Sequence, residues 1–313
     1  MRIAIFGTGG AGGYFGAQLA RAGEDVIFIA RGEHLEAIRA RGLTMETPAG
    51  EIVIRPAQAT DDPTQVGVVD AVLLGVKTWQ VRDAARAMGP MIGPDTVVVP
   101  LQNGVEAASL LAEVLGQSHV LGGLCGTISL IVAPGRIRSI GEAHFITIGE
   151  LEKGPSGRAE RLRQVFERAG VKAHASPDID VSLWEKFLFV VSMGGVGAVT
   201  RAPIGVLRTL PETRRMLEQC LAEIFAVGRA RGVALAEGSL GKAMAFLDAL
   251  PAGGTTSLQR DVASGKPSEL EAWNGAVVRL GREAGVATPL HDFIYQSLLP
   301  QELRARGKVE FPA

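Results

Sequence analysis

Gly7, Gly9 and Gly12 stand in the spacing Gly-x-Gly-x-x-Gly within the run Gly7-Thr8-Gly9-Gly10-Ala11-Gly12. In that spacing the first glycine permits a tight strand-to-helix turn, the second admits a pyrophosphate close to the backbone, and the third lets helix and strand pack closely. The helix opening there would present free N–H groups and its positive dipole end to phosphate. With 40 glycines in 313 residues such spacings also arise by chance. Context separates the two readings: an apolar run, residues 3–6, precedes the glycines, a helical pattern follows, and a second apolar run occupies residues 26–30. This is the opening of a βαβ unit that binds a dinucleotide.

Other polar residues stand where strands should end. Arg31 follows the second strand, where an acidic residue would hold a ribose 2′-hydroxyl and an arginine suits the 2′-phosphate of NADP. Lys77 follows the apolar stretch 68–76, placed either to bond a ribose, a phosphate or an asparagine or to serve as an ordinary strand-end cation. Asn103, in Leu-Gln-Asn-Gly-Val after the run 96–100, belongs either to a common Asn-Gly turn or to the crevice at the carboxyl ends of parallel strands. Lys186 interrupts an apolar helical stretch, 183–191, where an ammonium either snorkels or is held as a proton donor whose pKa desolvation lowers. Glu269 and Asn274 fall at the start of a helical pattern over 267–284, where acidic residues are common for dipole reasons alone.

The elements that must carry these residues divide the chain. Up to about residue 175, short β-rich runs alternate with helical ones, the pattern of a parallel sheet with crossover helices. A hairpin is expected around residues 48–50, and a second turn between strands 136–140 and 144–148 around Gly141-Glu142. Beyond residue 176 only apolar-periodic helical stretches remain. The expected architecture is α/β: a Rossmann-type parallel-sheet domain over residues 1–176, binding NADP, and an all-helical substrate and catalytic domain over 177–313.

Composition excludes other classes. A net charge of −1 argues against broad attraction to nucleic acid or anionic membrane, and 47% apolar with 21% charged residues is ordinary for a globular protein. Cys125 and Cys220 match no metal-ligand spacing and the five histidines form no ligand pair, so no metal is expected. No uninterrupted apolar stretch has membrane-spanning length and no signal peptide is evident, which points to the cytoplasm. The apolar helices of the second domain could pack within one chain or between two, leaving a homodimer open.

Taken together the landmarks resemble the ketopantoate reductase (2-dehydropantoate 2-reductase) family over nearly the whole chain. They are the glycine motif, Arg31, Lys77 before Thr78-Trp79-Gln80, Gln102-Asn103-Gly104, Leu183-Trp184-x-Lys186, Ser257-Leu258-Gln259-Arg260-Asp261, and Glu269 five residues before Asn274-Gly275. The resemblance implies NADPH-dependent reduction of a small 2-oxo acid to a 2-hydroxy acid, with ketopantoate the foremost substrate. It also implies that Lys186 protonates the carbonyl oxygen, Asn103 contacts substrate and cofactor, Glu269 positions the reacting groups, and Ser257 binds substrate. The chain departs from the family where asparagines are typical, carrying Val190 and Gly194 four and eight positions after the lysine and Gly254 before Ser257. The apolar Val190 and the room at Gly194 and Gly195 motivate an alternative, a D-2-hydroxyacid dehydrogenase acting on a more apolar 2-oxo acid. A protein that binds NADP without catalysis needs only the glycines and Arg31; a flavoenzyme shares the glycine motif but fits a helical domain with this lysine poorly.

Overall fold

The computed structural model describes residues 1–312, with the side chains of residues 142 and 143 left out. Chain contacts divide it into two compact units, residues 1–102 with 106–182, and residues 103–105 with 183–313.

The first unit opens with β1 (Arg2–Phe6), α1 (Gly10–Arg21), β2 (Asp25–Ile29), α2 (Gly32–Arg41), β3 (Leu43–Thr47), β4 (Gly50–Ile54) and β5 (Gln58–Thr60). It continues through β6 (Ala71–Leu74), α3 (Val81–Ala87), β7 (Val97–Pro100), α4 (Ala107–Leu115), β8 (Gly122–Ala133), β9 (Arg136–Gly149), α5 (Gly157–Arg168) and β10 (Lys172–Ala175). Strands β5-β2-β1-β6-β7 form a parallel sheet in that order. In β1, Ile3 and Ile5 enter one core with Phe15 and Phe28, while Ala4 and Phe6 enter another with Val72 and Leu111. Burial on both faces is why these strands read as unbroken apolar runs rather than alternating ones.

The expected parallel architecture is present, and a second sheet joins it. β10, β9, β3 and β4 pair in that order, with β8 antiparallel to β9. Its buried residues Met45, Ile137 and Ile146 share a core with Tyr14, Phe15 and Leu19 of α1, so that helix is enclosed between two sheets. The hairpin at residues 48–50 forms as expected. The turn expected at Gly141-Glu142 does not: β9 runs through it as one strand, because both halves pair antiparallel with the same β8, Gly126 opposite Phe145 and Ile128 opposite Ile140. The surplus residues are absorbed as an irregularity at Gly141, whose φ of 77° suits glycine.

The helix α6 (Ile179–Thr200) crosses the boundary between the units at Ser182 and Leu183. By length and composition it could span a membrane, but 67% of its most apolar window is buried inside the protein, as in a core helix. The second unit continues with α7 (Ile204–Thr209), α8 (Pro211–Ala230), α9 (Ser239–Ala249), α10 (Ser257–Ala263), α11 (Ala276–Glu283) and α12 (Pro289–Ala305). The helix expected over 267–284 starts late: residues 268–270 are loop, and Glu271–Gly275 form one π-type turn before α11. Phe187, Leu188 and Val191 of α6 pack with Leu221 and Ile224 of α8 and with Trp273 of that turn.

Candidate active site

The glycine loop shows which of its residues packing demands. An added Cβ on Gly10 would strike the backbone of Ser129, on Gly12 the carbonyl of Gly7, and on Gly13 the side chain of Ile137. At Gly7 φ is 101° and a Cβ would lie 2.8 Å from the Val76 nitrogen. Gly9 is the exception, since its added Cβ would find nothing nearer than the Gly75 carbonyl at 3.8 Å. Packing does not require glycine there, and the space beside the backbone is left open. Thr8 holds the loop: its hydroxyl donates to the Ile29 carbonyl at 3.1 Å, as does its N–H at 3.0 Å. Because α1 begins at Gly10 and its first backbone bond runs from the Gly13 N–H to the Gly9 carbonyl, the N–H groups of Gly10, Ala11 and Gly12 precede any helical acceptor.

Arg31 directly precedes α2 and is exposed in an extended conformation, beside Gly32. Lys77 follows β6; its N–H donates to Gln80 Oε1, and its Nζ lies 5.9 Å from the centre of the Trp79 ring. The neighbouring Gln102, a landmark without an assigned role in the sequence, ties the strand ends together. Its Nε2 donates to the carbonyls of Leu74 at 3.0 Å and Val76 at 2.8 Å.

Asn103 was expected within the sheet domain, yet its contacts group it with the helical unit. Gly104, with φ of 114°, sits so close to the π-type turn that an added Cβ would lie 3.4 Å from the Ala272 carbonyl. Lys186 is half-buried on α6, flanked by the buried Phe187 and Leu188, with half-buried Val190 one turn on. Ser257 is the first residue of α10, and its neighbour Thr256 caps that helix by accepting the Gln259 N–H at 3.2 Å. Glu269 is 8% exposed and lies in the loop before the π-type turn, its carbonyl accepting the Trp273 N–H at 3.1 Å.

The π-type turn accounts for the glycines of α6. An added Cβ on Gly194 would lie 2.6 Å from Trp273 Cζ3, and one on Gly195 would lie 2.5 Å from Asn274 Nδ2. The room expected at Gly194 and Gly195 is therefore absent, filled by a tryptophan ring and an amide. Nor is Gly254 open, since an added Cβ there would lie 3.0 Å from the Pro251 carbonyl. Sequence reasoning missed Trp273 because its partners lie some eighty residues away on another helix.

Asn274 is fully buried and donates from Nδ2 to His291 Nδ1 at 3.0 Å; the other ring nitrogen, Nε2, donates to the Cys220 carbonyl at 3.2 Å. The tautomer follows from these partners. Complete burial pushes the imidazole pKa down to about 4. Since the unfolded chain binds the proton more readily, this residue's contribution to stability is fully present above about pH 6.5 and is lost as pH falls towards 4, about 3 kcal/mol in all. Denaturant unfolding at pH 7.5 and 4.5 checks this, with His291→Asn, which does not titrate, expected to lose less stability over that interval than the unmodified chain.

Comparison with known proteins covers both units. The family description "Ketopantoate reductase PanE/ApbA" matches residues 3–153, and its C-terminal counterpart matches residues 178–302. A 2-dehydropantoate 2-reductase of Halobacterium salinarum is 31% identical over 93% of this chain and 95% of its own length. A similar enzyme of a Nostoc species is 29% identical over 95% and 94%. The crystal structure of a PanE/ApbA family ketopantoate reductase from Ralstonia eutropha superposes with a TM-score of 0.89 at 31% identity, covering 98% of this chain and all of that one. D-mandelate dehydrogenase, at 23% identity and a TM-score of 0.89, shares the fold. With both units matched in order and near-complete coverage at this identity, the chain belongs to the ketopantoate reductase family, oxidoreductases acting on CH–OH groups.

Proposed function

We propose that the protein reduces a 2-oxo acid to a 2-hydroxy acid with NADPH, and that ketopantoate is the substrate. The observation that carries the reading is similarity to proteins named 2-dehydropantoate 2-reductase across both units, with Lys186 in the middle of the core helix. The protein's own residues fit the cofactor. Gly9 keeps a space that packing leaves unused, the first-turn N–H groups of α1 suit a pyrophosphate, and the exposed Arg31 suits a 2′-phosphate. NADPH, when bound, supplies the hydride. Lys186 gives a proton to the substrate's carbonyl oxygen as negative charge builds there, an interaction stronger in the transition state than in the ground state. Asn103 and Ser257 bind the substrate's polar groups, Lys77 and Asn103 contact the cofactor, and Glu269 orients the reacting groups.

A second reading is favoured by one observation. The positions one and two turns beyond Lys186 hold Val190 and a glycine covered by Trp273, so neither offers a hydrogen bond to a substrate hydroxyl. A site lacking such a partner discriminates weakly for a hydroxylated substrate. On this reading the substrate is a more apolar 2-oxo acid. A panel of ketopantoate, branched and aromatic 2-oxo acids, each with NADPH and NADH and followed by absorbance, tests both. Highest kcat/KM on ketopantoate with NADPH is expected; a higher value on an apolar acid selects the second reading, and no turnover of any 2-oxo acid overturns both.

A further inference from the structure

We propose that Glu302 and Arg306, at the far end of α12, are positioning residues that set the place of Glu269. The inference rests on the proposed role of Glu269 and extends it to groups that do not adjoin that residue in sequence.

Glu269 lies in a loop, where its carbonyl accepts the Trp273 N–H on the side of the π-type turn. On its other side the chain is fixed through the residue before it. The Ser268 N–H donates to Glu302 Oε2 at 2.9 Å and its hydroxyl donates to the same oxygen at 2.5 Å. The Ser268 carbonyl accepts Arg306 Nη2 at 3.0 Å. Every polar group of Ser268 is thereby engaged by one acid–base pair. The pair itself is closed by Arg306 Nε donating to Glu302 Oε1 at 2.6 Å. Ser268 is 0% exposed and Glu302 6%, so these are desolvated, charge-assisted bonds. On the other side of Glu269, the Leu270 N–H reaches back to the Ser268 hydroxyl at 3.4 Å.

A buried carboxylate is costly unless paired and hydrogen-bonded, and this one satisfies that requirement by fixing a loop rather than by capping a helix. The arrangement converts the loop carrying Glu269 into a rigid support, which matters because a displacement of about 1 Å at a catalytic group can lower the rate about a hundredfold. Arg306 needs both its Nε and an Nη for this, so lysine reproduces only one of the two bonds.

The test compares Glu302→Gln, Arg306→Gln and Arg306→Lys with the unmodified chain, using the 2-oxo acid that the panel shows to be turned over fastest. Rates are expressed per NADPH-binding site, measured by nucleotide fluorescence, so that loss of folded protein is not read as loss of rate. Expected are a fall in kcat of about tenfold or more for both glutamine variants, an NADPH affinity within about twofold, and a smaller loss for Arg306→Lys. The decisive measurement repeats Glu302→Gln, or Arg306→Gln if the former does not fold, in a Glu269→Gln background. Acting through Glu269, the second change should then lower kcat no further. An equal proportional loss in that background, or single variants with kcat within about twofold of the unmodified chain, overturns the proposal. Unchanged kcat in Glu269→Gln alone overturns the role of Glu269, and the positioning role with it.

Discussion

Lys186→Ala is expected to lower kcat about 10²–10⁴-fold while leaving NADPH affinity within about twofold, the range lost when a positioned general acid is removed. The separation of the two quantities is the point of the experiment. The residues fitted to the dinucleotide at the glycine loop and Arg31 lie in the first unit, whereas Lys186 belongs to the helical unit. A lysine that merely snorkelled from an apolar helix would cost nothing in kcat per binding site when shortened, and alanine is the better helix former. Fluorescence titration with NADPH and single-turnover reduction of a 2-oxo acid distinguish the two. A rate per site within about twofold of the unmodified chain would remove Lys186 from the chemistry.

Gly194→Asn, which restores the residue type that the family resemblance leads one to expect, should destabilise the helical unit by about 3 kcal/mol or more. The asparagine Cβ would lie 2.6 Å from Trp273 Cζ3 and 3.3 Å from the Thr256 hydroxyl, and the Trp273 ring is 0% exposed with nowhere to retreat. Overpacking and a buried amide without assured partners act in the same direction. Val190→Asn, at a half-buried position on the same helix, should cost much less. Denaturant midpoints of the two variants measure the difference, and similar midpoints for both would show that the tryptophan yields readily. If the expectation holds, the glycine and the tryptophan form a pair that must change together, and asparagine at position 194 alone is not accommodated.

The parts of this molecule that were legible in its sequence are those that depend on near neighbours. The glycine spacing, the parallel strands around it and the helical second half follow from local pattern, because strand burial and helix periodicity are written in consecutive residues. What escaped depends on distant partners. The continuity of β9 is decided by β8, the grouping of Asn103 by the turn around Ala272, and the clamp on Ser268 by residues more than thirty positions away. The π-type turn hides for another reason: it accommodates one extra residue inside an otherwise helical pattern, and periodicity cannot register the start of a helix that opens out of phase. β5, three residues long, is too short for any alternation to show.

The enclosure of α1 between two sheets also bears on how the protein is made. The glycine motif and α1 lie close together in the chain, but the side of α1 that carries Gly10 and Gly13 is closed by Ser129 and Ile137, more than a hundred residues further along, which leave the ribosome later. Until β8 and β9 emerge and pair, the nascent helix exposes the apolar surface of Tyr14, Phe15 and Leu19. Contacts so distant in sequence form slowly. The glycine loop and α1 are thus completed only once β8 and β9 have been made and paired, well after the residues of the loop themselves.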